Sequence, residues 1–343
     1  MKIAINGFGR IGRLFFRQMF EHEGAEIVAI NDLGDIENLA YLLRHDTVYR
    51  TYYGHEVGFS KNADGVGGAL LVDGKKIQIL QEKDPAKLPW GDLGVDVVVE
   101  CTGFFESFEK ASVHVTAAGA KHVVISAPAK DADGVAGGKT ILMGINESQL
   151  SSCNVSSNGS CTTNATAPVV QIMNEEIGIL KAALSTVHAY TATQSLTDSP
   201  AKGHDFRRGR AAAQNIVPSS TGAAVSVTRA VPDLQGKFDG IAIRVPAVTG
   251  SLTDLTFVAK RKTTVEEVNE IFKKAAADPR WKGILGVDND QPVSGDMIGA
   301  PFASVVDLEY TKVIDGDLVK VLAWYDNEWG YVTTLVAHVL AIK

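Results

Sequence analysis

The apolar positions fall into two regimes along the chain. Up to about residue 145 they form short, dense runs: Ile3 to Ile5, Glu26 to Ile30, Asp96 to Glu100, Lys121 to Ser126 and Thr140 to Gly144. Short unbroken apolar runs predict strands buried on both faces. Between them, Leu14 to Phe20, Ile36 to Leu43 and Phe108 to Ala118 have helical spacing. Alternating strand and helix units with apolar strands imply an α/β, doubly wound parallel sheet. Val57 to Leu80 interrupts this, with glycine-rich turns between short runs at 69–72 and 76–80. It reads as a β-hairpin insertion of surface composition, with no chemistry attached.

After residue 180 the runs lengthen. Ala182 to Ala189, Lys237 to Val245, Leu252 to Lys260, Phe302 to Glu309 and Leu318 to Tyr325 read as long strands, with one clear helix, Val265 to Ala276. Long, mainly antiparallel strands with few helices predict a second, α+β domain. Arg207 to Thr228, rich in Ala, Ser, Thr and Gly, reads as a long loop and an early helix rather than core. Long ordered loops are usually functional. Tyr331 to Ile342 has helical spacing and is expected to return to the first domain. The expected division is 1–160 with a C-terminal segment 327–343, and 161–326 between them.

Composition narrows the function classes. The 343 residues suffice for two domains. A net charge of −7 and a pI near 5.6 argue against nucleic acid or an acidic membrane as the main partner. The three cysteines, Cys101, Cys153 and Cys161, are odd in number and form no C-x-x-C. That fits a reducing compartment and neither a disulfide framework nor a zinc site, so no metal is expected. The N-terminus lacks signal-peptide character and no apolar run approaches membrane-spanning length, which makes the cytoplasm the expected location. Cys101 and Cys153 have neither a nearby histidine nor capping hydroxyls, and are expected to pack.

The first apolar run leads into Gly7-Phe8-Gly9-Arg10-Ile11-Gly12 and then into a helix. In a G-x-G-x-x-G turn the first glycine permits the tight turn, the second admits a pyrophosphate, and the third lets helix and strand pack. The helix N-terminus then meets the pyrophosphate. The second strand ends at Asn31-Asp32, and Asp32 lies 20 residues after Gly12 (32 − 12). A carboxylate there binds ribose hydroxyls and repels a 2′-phosphate, so a Rossmann-type domain with NAD rather than NADP is expected.

Ser157 to Asn164 sets one cysteine, Cys161, in a run of small hydroxyl and amide residues that cap helices. The run from Ala165 onward can be helical, which puts Cys161 at or near a helix N-terminus, where the dipole favours the thiolate. Pro168 implies that this helix bends or begins later. His188, 27 residues on (188 − 161), can return on a strand as the acid/base partner and lower the thiol pKa. Among the arginines, Arg208 and Arg210 read as solvated charge or interface salt bridges. Arg244, between apolar neighbours, requires a partner and reads as functional.

Six segments, Asn6 to Arg13, Ser160 to Asn164, His188 to Thr191, Ser220 to Ala224, Arg244 to Pro246 and Trp324 to Tyr331, together resemble the phosphorylating glyceraldehyde-3-phosphate dehydrogenases over essentially the whole chain. The resemblance implies that Cys161 forms a thiohemiacetal and then a thioester, with His188 as acid/base partner. Thr191 and Arg244 would hold the substrate phosphate. Ser160, Thr162, Thr221, Gly222 and Arg207 would line a second anion site for inorganic phosphate. Gly7, Gly9, Arg10, Ile11, Gly12, Asp32, Ser126, Asn327 and Tyr331 would hold NAD. A homotetramer is implied, with the loop 192–221 against a neighbour's cofactor site.

The chain departs from the family pattern in places. Gly159 stands where alanine is usual, which suggests a looser loop. Ala165 replaces a second cysteine, removing the nearest disulfide partner of Cys161. Tyr49-Arg50 replaces a common His-Gly and reads as neutral. Ser199-Pro200 keeps the proline of NAD-type members. The nearest enzymatic alternative is erythrose-4-phosphate dehydrogenase, which shares the motifs and hydrolyses the thioester. An alternative of another class is a non-catalytic nucleotide-binding or surface-adhesion protein.

Overall fold

The computed structural model describes residues 1–201 and 203–342. It divides into two units. The last residue of the expected segment 327–343 lies outside the described residues. The first unit comprises Met1–Ile141, Glu147–Gly159 and the segment from Leu335 on. Its elements are β1 (Lys2–Asn6), α1 (Arg10–Met19), β2 (Glu26–Asn31), α2 (Ile36–Arg44), β3 (Val57–Lys61), β4 (Gly68–Val72), β5 (Lys75–Leu80), α3 (Trp90–Leu93), β6 (Val97–Glu100), α4 (Phe108–Ala111), α5 (Val113–Thr116), β7 (His122–Ile125), β8 (Lys139–Thr140) and β9 (Val155–Ser157). The strands form one sheet in the order β3-β4-β5-β2-β1-β6-β7-β9-β8. Strand β1 pairs in parallel with β2 on one side and β6 on the other. Chain order therefore reverses beside β1, and ligands bind at the carboxyl ends of strands flanking such a switch point. Ile3, Ala4, Ile5 and Val97 to Val99 are wholly buried, as their apolar runs require.

Three expectations change here. Residues 57–80 are not a separate surface insertion. They form an antiparallel meander whose last strand, β5, adds in parallel to β2, and Leu70, Val72, Ile77 and Ile79 are buried. The run 140–144 supplies only the end of β8, because Asn146 Oδ1 takes the Leu142 N–H at 2.7 Å and turns the chain out of the sheet. The pattern also hid β9. Its serines break the apolar pattern, yet Ser157 Oγ donates to Ala127 O at 2.6 Å, and Ser156 Oγ lies 2.8 Å from His122 Nε2 and 2.9 Å from His338 Nε2. Each hydroxyl is satisfied, so burial is affordable. In the Tyr49-Arg50 pair, Arg50 holds φ 64°, a left-handed conformation that costs a side chain about 1 kcal/mol.

The second unit comprises Leu142–Asn146 and Ser160–Thr334. Its elements are α6 (Cys161–Glu176), β10 (Ile179–Ala189), β11 (Val217–Ser220), α7 (Ala223–Ala230), β12 (Phe238–Val245), β13 (Ser251–Ala259), α8 (Val265–Ala277), β14 (Leu285–Asp288), β15 (Ser304–Ile314), β16 (Leu318–Tyr325) and the start of α9 (Trp329–Ala341). The sheet order is β11-β12-β10-β13-β16-β15-β14, antiparallel except for β10/β12 and β14/β15. The core of this unit lies between the sheet and α6, α7 and α8, with Val170, Met173, Val227, Leu255 and Phe272 buried in it. The stretch 207–228 is therefore less loop than its composition suggests. Val217–Ser220 is an edge strand, and Ala223, Ala224 and Val227 belong to the core. Among the described residues no helix is long and apolar enough to cross a membrane.

Candidate active site

In the first unit, the turn after β1 is shaped by its glycines. Gly7 has φ 95°, and a Cβ on Gly12 would stand 2.1 Å from Gly7 O. The N-cap of α1 is Gly9, with no side-chain cap, and the first turn carries no acid. Arg10 and Ile11 thus open a helix whose N-terminal end carries neither a capping side chain nor an acid, an arrangement suited to a pyrophosphate. The Arg10 guanidinium itself is committed to Asp46 at 2.9 Å. Asp32 is held in place by Phe8 N–H at 2.7 Å and Gly34 N–H at 2.8 Å. Gly7, Gly9, Asp32, Leu33, Thr102 and Phe104 line a cleft of 440 Å³ at the carboxyl ends of β1, β2 and β6. These residues fit a dinucleotide. Cys101 also lines this cleft, and burial pushes its thiol up to about 12, which keeps it inert. Cys153 is buried, as expected, and Ser126 gives its hydroxyl to Glu100 O at 2.9 Å.

In the second unit, Cys161 is the first residue of α6. Ser160 is the N-cap, its Oγ accepting from Thr163 N–H at 3.0 Å. The helix does not begin later, and Pro168 lies inside it. The proline forfeits only the bond to the carbonyl four residues back, on Asn164. Cys161 Sγ lies 3.3 Å from His188 Nε2. His188 stands on β10 directly opposite Arg244 of β12 in the parallel pairing, so one sheet register delivers both side chains. Arg244 Nη1 is 2.7 Å from His188 Nδ1 and donates to Ala189 O at 3.1 Å. Ala189 O also lies 2.7 Å from His188 Nδ1. That nitrogen can serve only one of them. It accepts from the permanently protonated Arg244, or it carries a proton for Ala189 O and leaves Nε2 as a base toward the thiol.

Burial dominates the electrostatics of this cluster. It pushes the Cys161 thiol up, against the opposing pull of Arg244 and the Thr162 amide. The same burial, with Arg244 adding to it, pushes His188 down to about 3. Where a thiol lowered by the helix end and histidine was expected, desolvation outweighs Arg244 and the helix-end amides and the thiol stands above its ordinary value. Tyr325, to which the sequence reading gave no role, belongs to the cluster. Its hydroxyl lies 2.9 Å from Thr162 Oγ1 and 2.8 Å from Thr186 Oγ1, and its ring meets His188 edge-on at 5.9 Å. In the sequence it ends the run 318–325 and lies within the segment Trp324 to Tyr331, which carries no role for it.

The other expected residues are placed less uniformly. Thr191 Oγ1 is 2.9 Å from Thr193 Oγ1, and Arg208 bridges Thr193 and Ser219 at 3.4 and 2.7 Å. Thr221 Oγ1 accepts from Ala223 N–H at 3.2 Å beside Gly222, the N-cap of α7. Arg207 is turned to Asp205 at 3.0 Å and Arg210 to Asp198 at 2.9 Å, both exposed. Asn327 Oδ1 accepts from Ser251 Oγ at 2.9 Å and Gly250 N–H at 3.1 Å, and Tyr331 is buried.

Residues 1–108 match the family model for the glyceraldehyde 3-phosphate dehydrogenase NAD binding domain, and residues 160–327 match that for the C-terminal domain. The chain is 48% identical over 340 residues to glyceraldehyde-3-phosphate dehydrogenase of Streptomyces coelicolor, covering 98% of this chain and 96% of the relative. It is 47% identical over 339 residues to that of Clostridium pasteurianum, with the same coverage. To that of Borreliella burgdorferi it is 46% identical over 342 residues, covering 98% of each.

Proposed function

The chain belongs to the glyceraldehyde-3-phosphate dehydrogenase family, and from that premise we propose that it oxidises D-glyceraldehyde 3-phosphate to 1,3-bisphosphoglycerate with NAD and inorganic phosphate, the glycolytic reaction. The observation that carries the reading is Cys161 at the start of α6, 3.3 Å from His188, with Arg244 beside the same imidazole.

The chemistry follows from these groups. Cys161 Sγ attacks the aldehyde carbon as its proton passes to His188 Nε2, giving a thiohemiacetal. The protonated imidazole and the leading amides of α6 stabilise the oxyanion, and the imidazole then returns its proton to that oxygen, which completes the thiohemiacetal and frees Nε2 again. NAD, when bound, supplies the acceptor for the hydride that leaves as the thioester forms. His188 takes the hydroxyl proton at that stage, and inorganic phosphate then displaces the thiolate to release the acyl phosphate. Arg244 and Thr191 hold the substrate phosphate. Drawing Arg244 toward that phosphate releases His188 Nδ1 to donate to Ala189 O, which leaves Nε2 as the base. Thr221, Gly222 and the start of α7 offer the second phosphate its donors, with Ser160, the backbone N–H of Thr162, and Arg207. Asp32, the glycines of the first turn, Ser126, Asn327 and Tyr331 are assigned to NAD. A homotetramer and a cytoplasmic location complete the reading, supported by exposed Leu196, Phe206 and Ile216 around the 192–221 loop and by three free cysteines.

The test is NADH formation from glyceraldehyde 3-phosphate with and without inorganic phosphate, with erythrose 4-phosphate alongside. Fast, phosphate-dependent turnover of the triose is expected. Phosphate-independent oxidation favouring the tetrose would move the chain to erythrose-4-phosphate dehydrogenase, and no turnover of either would favour a binding or adhesion role.

A further inference from the structure

Beneath the cleft of the first unit runs a chain of buried polar side chains that the reaction does not use. It starts at the backbone of Glu82, whose N–H donates to Asn31 Oδ1 at 2.9 Å and whose carbonyl accepts from Asn31 Nδ2 at 2.9 Å. That backbone fixes which face of the Asn31 amide is which. Asn31 Nδ2 then donates to Asn6 Oδ1 at 2.7 Å, so Asn6 Nδ2 must point onward, and it reaches Glu100 Oε2 at 2.6 Å. Glu100 Oε1 accepts from Thr102 N–H at 2.7 Å and also from the Thr102 hydroxyl. His114 Nε2 lies 3.1 Å from Glu100 Oε2, and Trp90 Nε1 lies 3.1 Å from His114 Nδ1.

Both ends of this chain are polarised by groups that cannot change role. An indole N–H only donates, so His114 Nδ1 accepts and Nε2 carries the hydrogen that goes to Glu100. A backbone amide at the other end dictates Asn31 and, through it, Asn6. Glu100 is left as the common acceptor of four donors. Glu100 and His114 are 2% and 0% exposed, so no water can substitute. Asn6, Asn31 and Thr102 meanwhile form part of the cleft wall.

We propose that Glu100 and His114 are positioning residues for the cofactor, locking Asn6, Asn31 and Thr102 of the cleft wall in one orientation through this one-way hydrogen-bond chain. The proposal rests on the reading of the cleft as the NAD site. A buried network with every partner of the right polarity specifies one arrangement. Reversing one link leaves a donor facing a donor, and the fault propagates to the wall.

Glu100→Gln tests this with no change of shape, because the introduced amide sets N–H groups against N–H groups. Folded enzyme is confirmed by circular dichroism and its Tm. Glu100→Gln is expected to raise the Kd and KM for NAD about tenfold, with kcat at saturating NAD within about twofold and the KM for glyceraldehyde 3-phosphate unchanged. His114→Phe is expected to do the same. His114→Gln, which keeps a donor for Glu100, is expected to return the NAD constants to within about threefold of the parent even though Trp90 loses its acceptor. A purely structural role would lower the Tm in all three without this split. Parent-like NAD binding in folded Glu100→Gln, or His114→Gln no better than His114→Phe, would overturn the proposal. Asp32→Ala serves as the control. Weaker NAD binding there but not in Glu100→Gln sinks the positioning role alone, and unchanged binding in both sinks the cleft assignment with it.

Discussion

The cleft of the first unit and the thiol cluster of the second bury polar groups by opposite rules. Around the cleft, the chain runs from donor to acceptor, with Asn6 Nδ2 and His114 Nε2, 3.4 Å apart, converging on the Glu100 carboxylate. Around Cys161, burial drives the thiol and the imidazole each away from its charged form, and His188 Nδ1 faces two partners it cannot serve together. The first arrangement has one solution and suits holding a ligand. The second admits two proton arrangements at His188 Nδ1, which suits a group that must give and take a proton. Satisfied polarity makes a binding wall, and unresolved polarity makes a reaction centre.

The largest effect is expected at the nucleophile. Cys161→Ser is expected to lower oxidation at least about 10³-fold, since a serine here is a far weaker nucleophile, while the Kd for NAD stays within about twofold. Loss of NAD affinity would show that the two regions are not separable. Next in size is His188→Asn, expected to lower kcat by about 10²–10⁴-fold. The same variant sharpens the electrostatic contrast. The folded pKa of His188, about 3, is depressed below an unfolded value of about 6.5, so as pH falls below 6.5 the unfolded chain takes up the proton first. Stability falls with pH across the window from about 6.5 to 3, by up to about 1.4 kcal/mol per pH unit for this group. Urea midpoints between pH 7 and 4.5 should decline less steeply in His188→Asn, and equal slopes would refute the depressed pKa. Third is Asp32→Ala, expected to lower the NAD/NADP ratio of kcat/KM about tenfold by removing the charge that repels a 2′-phosphate. An unchanged ratio would detach Asp32 from cofactor choice.

What the sequence disclosed follows the same division. The parallel strands, the G-x-G-x-x-G turn, Asp32 and the Cys161 and His188 pair were legible because each rests on local pattern or a motif with its own chemistry. Strand β9 was not, because Ser156 and Ser157 look like loop until His122, His338 and Ala127 arrive from elsewhere to satisfy them. Tyr325 was missed for a related reason. Its hydroxyl joins Thr162 on α6 to Thr186 on β10, a closure that no spacing in the chain reveals. The direction of the Cys161 shift was misjudged because a helix end is visible in sequence and desolvation is not. Glu100 and His114 drew no notice as lone residues in apolar runs.

A smaller effect tests whether the thiol cluster has one fixed member. Thr186 Oγ1 donates to Leu252 O at 3.2 Å, so it accepts from Tyr325, whose hydroxyl in turn accepts from Thr162. Tyr325→Phe strands the Thr162 hydroxyl beside the nucleophile. We expect a loss of about 1–2 kcal/mol in urea unfolding, the cost of one buried donor without a partner, and a kcat reduced only a few-fold. A larger fall in kcat with unchanged stability would make Tyr325 part of the proton path and not of its frame.

Backbone strain gives the finest discrimination. The loop carrying Asp46, the partner of Arg10, also carries Arg50 at φ 64°, and the turn into Cys161 has Gly159 at the same φ. The family resemblance expects the reverse choice of residue, glycine at the first position and alanine at the second. A side chain at this φ is strained by about 1 kcal/mol, whereas glycine is not. Arg50→Gly is therefore expected to raise stability by up to about 1 kcal/mol, less the entropy that glycine returns to the unfolded chain. Gly159→Ala is expected to lower it by a similar amount. Its effect should also reach kcat, because the turn it strains sets the first residues of α6, whereas Arg50→Gly should leave kcat alone. Urea midpoints and kcat for the two variants decide the matter. If Arg50→Gly lowers the midpoint, chain entropy outweighs strain in that loop. If Gly159→Ala leaves both quantities unchanged, the turn before the nucleophile tolerates either residue, and the glycine there is no device for placing Cys161.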